Sequence, residues 1–161
     1  MNAFDIRKAL PHRYPFLMVD AVTLLEENVK CIGIKNITLN EPCYRQVTDE
    51  ASQADLRYPM SLIIESFAQV GALLCMRSRE SIDVDVDNVM LAGSVLGVAV
   101  TENAYPGDVL EHHVEIVKEL PDTVVIGGAV KARRPGRDEL VSIATVESVV
   151  IAIRPSKELF G

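Results

Sequence analysis

Apolar and polar positions along the chain change their period several times, and each change marks an element. Residues 5–10 carry one or two helical turns that Pro11 stops, and His12-Arg13-Tyr14-Pro15-Phe16 follows as an ordered loop between two prolines. Residues 17–26 and 29–39 are rich in Val, Ile, Leu and Thr, with Glu26-Glu27-Asn28 between them, and read as the strands of a hairpin. From 40 to 58 no period survives, which predicts a long loop with at most a short helical turn. Loops of that length inside compact domains tend to carry function.

Residues 59–79 form the one long helix, with Pro59 suited to its first turn and Arg77 and Arg79 to its C-terminal end. Between Met60 and Met76 it is apolar nearly all the way round, the signature of a helix buried inside the protein. A membrane span is rejected, because the run is short and carries Glu65 and Gln69 in its interior. After a polar crossing at Asp83-Val84-Asp85-Val86-Asp87-Asn88, strands are expected at 89–92, 95–101, 108–120, 123–134 and 139–153. Turn signals at Pro106-Gly107, Pro121-Asp122 and Pro135-Gly136 separate the later ones. An antiparallel sheet with one wholly apolar helix must wrap that helix to bury it. The expectation is an α+β fold, a curved antiparallel sheet around one long central helix, with residues 1–161 as a single domain.

With 161 residues and 48% hydrophobic side chains the chain can bury a core of its own. The net charge of -7 disfavours nucleic acid, whose phosphates need neutralising by Lys and Arg. Cys31, Cys43 and Cys75 are widely spaced and odd in number, so neither a CxxC metal motif nor a closed disulfide framework is expected, and a reducing, cytoplasmic setting fits. Met1-Asn2-Ala3-Phe4-Asp5-Ile6-Arg7-Lys8 lacks a basic stretch followed by an apolar run, so no secretory signal is expected. No nucleotide or metal motif is present, and no cofactor is expected.

Chemistry enters at the polar positions of the apolar helix. Ser61, Glu65 and Gln69 are spaced i, i+4, i+8 and stack on one face, while Ser66 lies off that stripe and is expected to pack or bond back to the helix backbone. A carboxylate there is expensive to desolvate, so it is paired in a structural network, is neutralised, or lines a polar cavity where it does work. Gln69, one turn on, is placed to orient the Glu65 carboxyl group.

Three blocks carry a family resemblance: Leu10-Pro11-His12-Arg13-Tyr14-Pro15-Phe16-Leu17-Met18-Val19-Asp20, Lys35-Asn36-Ile37-Thr38-Leu39-Asn40-Glu41-Pro42 and Leu62-Ile63-Ile64-Glu65-Ser66-Phe67-Ala68-Gln69. Leu91-Ala92-Gly93, Tyr105-Pro106-Gly107-Asp108 and Glu139-Leu140-Val141 follow in the same order. The chain resembles the bacterial 3-hydroxyacyl-ACP dehydratases of fatty-acid synthesis. The resemblance implies a hot-dog fold working as a dimer or higher homo-oligomer, with acyl-ACP tunnels at the subunit interface. It also implies dehydration by a loop histidine of one subunit and a helix acid of the other. Glu65 matches the acid and Gln69 the residue that steadies it. The histidine belongs in a Gly-His-Phe-Pro motif shortly after Glu41-Pro42, and it is missing: the segment runs Cys43-Tyr44-Arg45-Gln46-Val47-Thr48 and on to Arg57, with no histidine and about four residues more than the pattern. The Met-Pro-Gly that opens the helix becomes Tyr58-Pro59-Met60. Tyr58, Met60, Ser61, Cys43 and Tyr44 are the positions expected to meet substrate.

Other candidates rank lower. His12 is read as a satisfied loop histidine, and His112 and His113 as mid-strand residues pointing to opposite faces, unable to share a metal. Asp49, Glu50 and Asp55 are read as solvated loop carboxylates, and Arg133, Arg134 and Arg137, with Arg154 and Lys157, as surface charge. Three functions follow: a dehydratase subunit acting on acyl carrier protein or CoA thioesters, as a homodimer or beside a histidine-bearing paralogue; a thioesterase using Glu65 alone; or a non-catalytic acyl-ACP binder.

Overall fold

The computed structural model describes residues 1–78 and 88–155. The polar crossing at 83–87, Arg79 and Lys157 lie outside them. Helix α1, Ala3–Ala9, starts two residues earlier than the pattern suggests because Asn2 caps it: its Oδ1 accepts the amides of Phe4 and Asp5, and the Asp5 carboxylate returns to the Asn2 amide. Strands β1, Ala21–Glu26, and β2, Lys30–Asn36, form the expected hairpin, turning at Asn28 with φ 61°. Both are shorter than the apolar runs. Met18 gives its amide to a side chain of the long helix rather than to a strand, and Ile37 bonds to Asp108 as β2 ends. The aperiodic stretch holds two 3-10 turns, Pro42–Tyr44 and Gln53–Leu56, and leads into α2, Met60–Ser78.

Strands β3, Asn88–Val100, β4, Val109–Leu120, β5, Thr123–Arg133, and β6, Val141–Pro155, complete a six-stranded antiparallel sheet in the order β1-β2-β4-β5-β6-β3. The two strands expected at 89–92 and 95–101 are one strand, interrupted only by a shift of register between Ala92 and Ser94. This is the α+β, hot-dog arrangement anticipated above, one long helix held in a curved antiparallel sheet.

Helix α2 buries Ile63, Phe67, Val70, Leu73 and Leu74 against Leu110, Val114, Ile126, Val130 and Ile151 of the sheet. Two glycines set how closely it sits: a Cβ on Gly33 of β2 would lie 2.1 Å from Val70 Cγ2, and one on Gly71 would lie 2.0 Å from Ile126 Cδ1. By length and hydropathy Gln53–Ser78 is apolar enough to cross a membrane, but half of its most apolar window is buried within the fold. The helix is not buried all round, however. Ser61 is exposed, and Ile64, Glu65, Ala68, Ala72 and Met76 are half-buried along one stripe. That stripe opens toward the β3–β6 end of the sheet, where β3 is the edge strand among the described residues.

Candidate active site

Glu65 and Gln69 stand one helical turn apart on the half-open side of α2, where i, i+4 spacing brings their side chains together. Gln69 is buried and uses its amide fully: Nε2 donates to Glu65 Oε1 at 2.9 Å and to Phe16 O at 2.7 Å, and Oε1 accepts the Met18 amide at 3.0 Å. Two of these bonds reach the loop between α1 and β1, which is thereby tied to the helix.

That loop carries His12. Its Nε2 lies 3.6 Å from Glu65 Oε1, with both side chains about a third exposed (31% and 29%), and its Nδ1 is buried without a hydrogen-bond partner. Arg13 folds the loop by donating from Nη1 to Leu10 O at 2.8 Å and His12 O at 2.6 Å. His12, Glu65 and Gln69 are the polar members of a cleft of about 280 Å³, walled by Phe16, Ala68 and Ala72, by Met90, Leu91 and Ala92 of β3, and by Ile151 of β6. His12 is therefore not the satisfied loop histidine expected from its motif. Its approach to Glu65 joins distant parts of the chain, and the Gln69 clamp on Phe16 and Met18 creates it, so no local pattern could have signalled it.

The other sequence candidates are placed differently. Cys43 is exposed and lines a second cavity of about 400 Å³ with Met18, Arg45, Gln46 and Leu62; Phe16 is common to both cavities. Partial burial and the Glu41 carboxylate push the Cys43 thiol up, which makes it a poor nucleophile. Tyr44 and Tyr58 are buried in the core: the Tyr44 hydroxyl donates to Leu56 O at 3.1 Å, the Tyr58 amide to Ala104 O at 2.8 Å, and burial raises both phenols above their usual range. Ser61 is exposed at the first turn and takes no part in the hydrogen bond that joins Glu65 to Gln69, so the three-residue stripe reduces to a pair. Met60 is half-buried at the helix start. None of these five lines the Glu65 cleft among the described residues.

Asp55 caps the second 3-10 turn through Ser52, which holds its carboxyl below the usual value, and Asp49 and Glu50 are exposed. His112 points inward and is fully buried, 2.9 Å from Ser66 Oγ, while His113 turns outward to Glu111 at 3.3 Å. Ser66 bonds back to Ile63 O at 3.0 Å, as its off-stripe position suggests. Burial, with lesser contributions from His113 and Lys35, pushes His112 down to about 3, so it is a neutral core residue. Arg133, Arg134 and Arg154 are paired with Glu111, with Glu102 and Asp108, and with Asp122.

The family model described as a FabA-like domain matches residues 10–134, a span that includes both the His12 loop and α2. The chain belongs to this family. The FabA-like chain is 32% identical over 153 residues to the 3-hydroxyacyl-[acyl-carrier-protein] dehydratase FabZ of a Nitratiruptor species, covering 94% of this chain and 98% of the relative. Among solved structures it is similar to the dehydratase heterocomplex ApeI:P from Xenorhabdus doucetiae, with a TM-score of 0.70 at 13% identity over 96% of this chain and 93% of that one. A hypothetical thioesterase with coenzyme A from Streptococcus pneumoniae gives 0.55 at 12% identity, covering 84% and 85%. At these identities the structural likenesses establish the fold.

Proposed function

We propose that this FabA-like chain acts on 3-hydroxyacyl thioesters of acyl carrier protein, as a dehydratase subunit in fatty-acid or polyketide-type biosynthesis in the cytoplasm. The observation that carries the reading is the Glu65 carboxyl group, held by Gln69 at 2.9 Å in the wall of an apolar cleft. Dehydration needs an acid that protonates a departing 3-hydroxyl beside apolar space for an acyl chain, and Glu65 offers both. A second cavity, of which Phe16 is also a wall, lies beside Cys43 and Leu62. Met60 opens α2, where a helix N-terminal amide suits a thioester carbonyl oxygen, whereas the amides of Leu62 and Ile63 are already given to Pro59 O.

The working unit is an oligomer built on β3. This strand is 13 residues long, lies at the sheet edge, and exposes Leu91, Val95, Leu96, Val98 and Val100. Since β3 also supplies Met90, Leu91 and Ala92 to the cleft, a chain docked there borders the site. The loop that holds the family histidine carries none here, and two sources can supply the base: a histidine-bearing partner chain, an arrangement in keeping with the heterocomplex neighbour, or an imidazole of this chain.

Purified protein given 3-hydroxyacyl-ACP and 3-hydroxyacyl-CoA, alone and mixed with a family member that carries the loop histidine, tests the reading. Formation of 2-enoyl product, lost in Glu65→Gln, is the expected result. Release of free thiol without enoyl product would identify a thioesterase, and binding without turnover in either mixture an acyl-ACP binder.

A further inference from the structure

The chain has three histidines, and the structure separates them sharply. His112 is enclosed in the core against Ser66, and His113 faces away from α2 toward Glu111. His12 alone of the three lines the cleft that holds Glu65. We infer that His12 is the base of the site, so that one protomer contains a complete imidazole and carboxyl pair; the inference rests on the dehydratase reading above.

Three observations carry it. First, Nε2 stands 3.6 Å from Glu65 Oε1, too far for a hydrogen bond that would tie up either group, and near enough for both to address adjacent carbons of one substrate. Second, Nδ1 is buried and has no hydrogen-bond partner among the described residues, none of which therefore fixes the tautomer; with the proton on Nδ1, the Nε2 lone pair faces Glu65 and the cleft. Third, the remaining walls, Phe16, Ala68, Ala72, Met90, Leu91 and Ile151, are apolar, and Gln69 carries no charge, so no other titratable side chain among the described residues lines the cleft.

The reaction then balances within the pair. His12 Nε2 takes the proton from C2, the C–H electrons pass onto the thioester carbonyl as an enolate and return to form the C2–C3 double bond as the C3–O bond breaks, and the departing oxygen takes the Glu65 carboxyl proton and leaves as water. The pair is left as imidazolium beside carboxylate, and transfer of one proton from Nε2 to Oε1 restores it. A small closing of the 3.6 Å His12–Glu65 separation brings the two atoms into hydrogen-bond reach for this resetting step.

The test is enoyl formation by the purified chain alone, on 3-hydroxyacyl-ACP, for wild type, His12→Ala, His12→Gln and His113→Gln. Turnover is expected to fall about 100-fold or more in both His12 variants, to stay at the wild-type level in His113→Gln, and to recover in His12→Ala on adding imidazole, which a merely structural role for the ring would not allow. Exchange of the C2 hydrogen with solvent deuterium is expected to vanish in His12→Gln and to persist in Glu65→Gln. Undiminished turnover in either His12 variant, or a folded, inactive His12→Gln that still exchanges C2, overturns the inference. A wild-type chain that is silent alone and active only beside a histidine-bearing family member also overturns it and leaves the dehydratase reading standing. Silence in both settings overturns the two together.

Discussion

Gln69 orients Glu65 and, with the same amide group, fastens the His12 loop to the helix: Nε2 bonds to Glu65 Oε1 and Phe16 O, and Oε1 accepts the Met18 amide. The same side chain thus holds both the Glu65 carboxyl group and the loop that carries His12. A single buried side chain couples the geometry of the site to the stability of the fold.

Gln69→Leu should therefore fail on both counts. The substitution is close in volume but leaves the Met18 amide and the Phe16 carbonyl without their partner in a buried setting, a loss of about 2–4 kcal/mol given typical penalties for unsatisfied groups. Urea unfolding reads the stability and enoyl formation reads the site. A variant as stable as wild type would mean that water or a shifted loop satisfies these groups.

His112 makes acid stability a second test. Its folded value of about 3 lies below the 6.5 of an unperturbed ring, so the native state refuses a proton that the unfolded chain accepts. The associated stability is fully present above about pH 6.5 and is lost as pH falls toward 3, at about 1.4 kcal/mol per unit. By pH 4 the loss should reach about 3 kcal/mol. His112→Phe keeps an aromatic ring beside Phe67, gives up the Ser66 contact, and should show a flatter stability–pH curve over that window. Parallel curves for the two proteins would assign the acid sensitivity to other groups.

The close approach of α2 to β2 predicts a third effect. Gly33→Ala places a Cβ 2.1 Å from Cγ2 of Val70, a fully buried β-branched side chain with little freedom to turn away. The expected cost is about 1–3 kcal/mol, read as a drop of roughly 2–4 °C in Tm per kcal/mol for a chain of this size. In a double-mutant cycle, Val70→Ala should relieve Gly33→Ala, giving a combined loss smaller than the sum. Additive losses would mean that the backbone, not Val70, absorbs the methyl group.

How much of this was legible in the sequence follows from the range of each interaction. Period and turn residues mark local structure, so the long helix, the hairpin and the turns at Pro106, Pro121 and Pro135 fall where the pattern puts them. The i, i+4 pairing of Glu65 with Gln69 is equally local and is written in the sequence. The ends of β1 and β2 were not, because residues 17–20 keep an apolar, strand-like pattern while Met18 bonds to a helix 51 positions away. Nor was the half-open stripe at Ala68, Ala72 and Met76 readable, since apolar side chains look the same whether covered by their own sheet or left at a cleft. His12 shows the limit most plainly: its motif reads as a structural loop, and its relation to Glu65 depends on tertiary packing.

The β3 edge supplies the last prediction. An edge strand of 13 residues that is paired with β6 on one side and, among the described residues, open on the other, and that exposes Leu96 and Val100, is a template for pairing with another chain; the bulge at Ala92 and Ser94 interrupts only its first part. If a second copy docks along β3, lysine at these two positions buries charge in the new interface, where each unpaired ammonium is strongly disfavoured. The double variant Leu96→Lys/Val100→Lys should then sediment as a monomer at concentrations where wild type is a dimer or larger. Because Met90, Leu91 and Ala92 of the same strand wall the cleft, turnover should fall with the loss of the oligomer even though His12, Glu65 and Gln69 are untouched. Analytical ultracentrifugation alongside the enoyl assay separates the outcomes: an unchanged oligomer mass would place the interface elsewhere, and a fully active monomer would show that one protomer encloses the whole site.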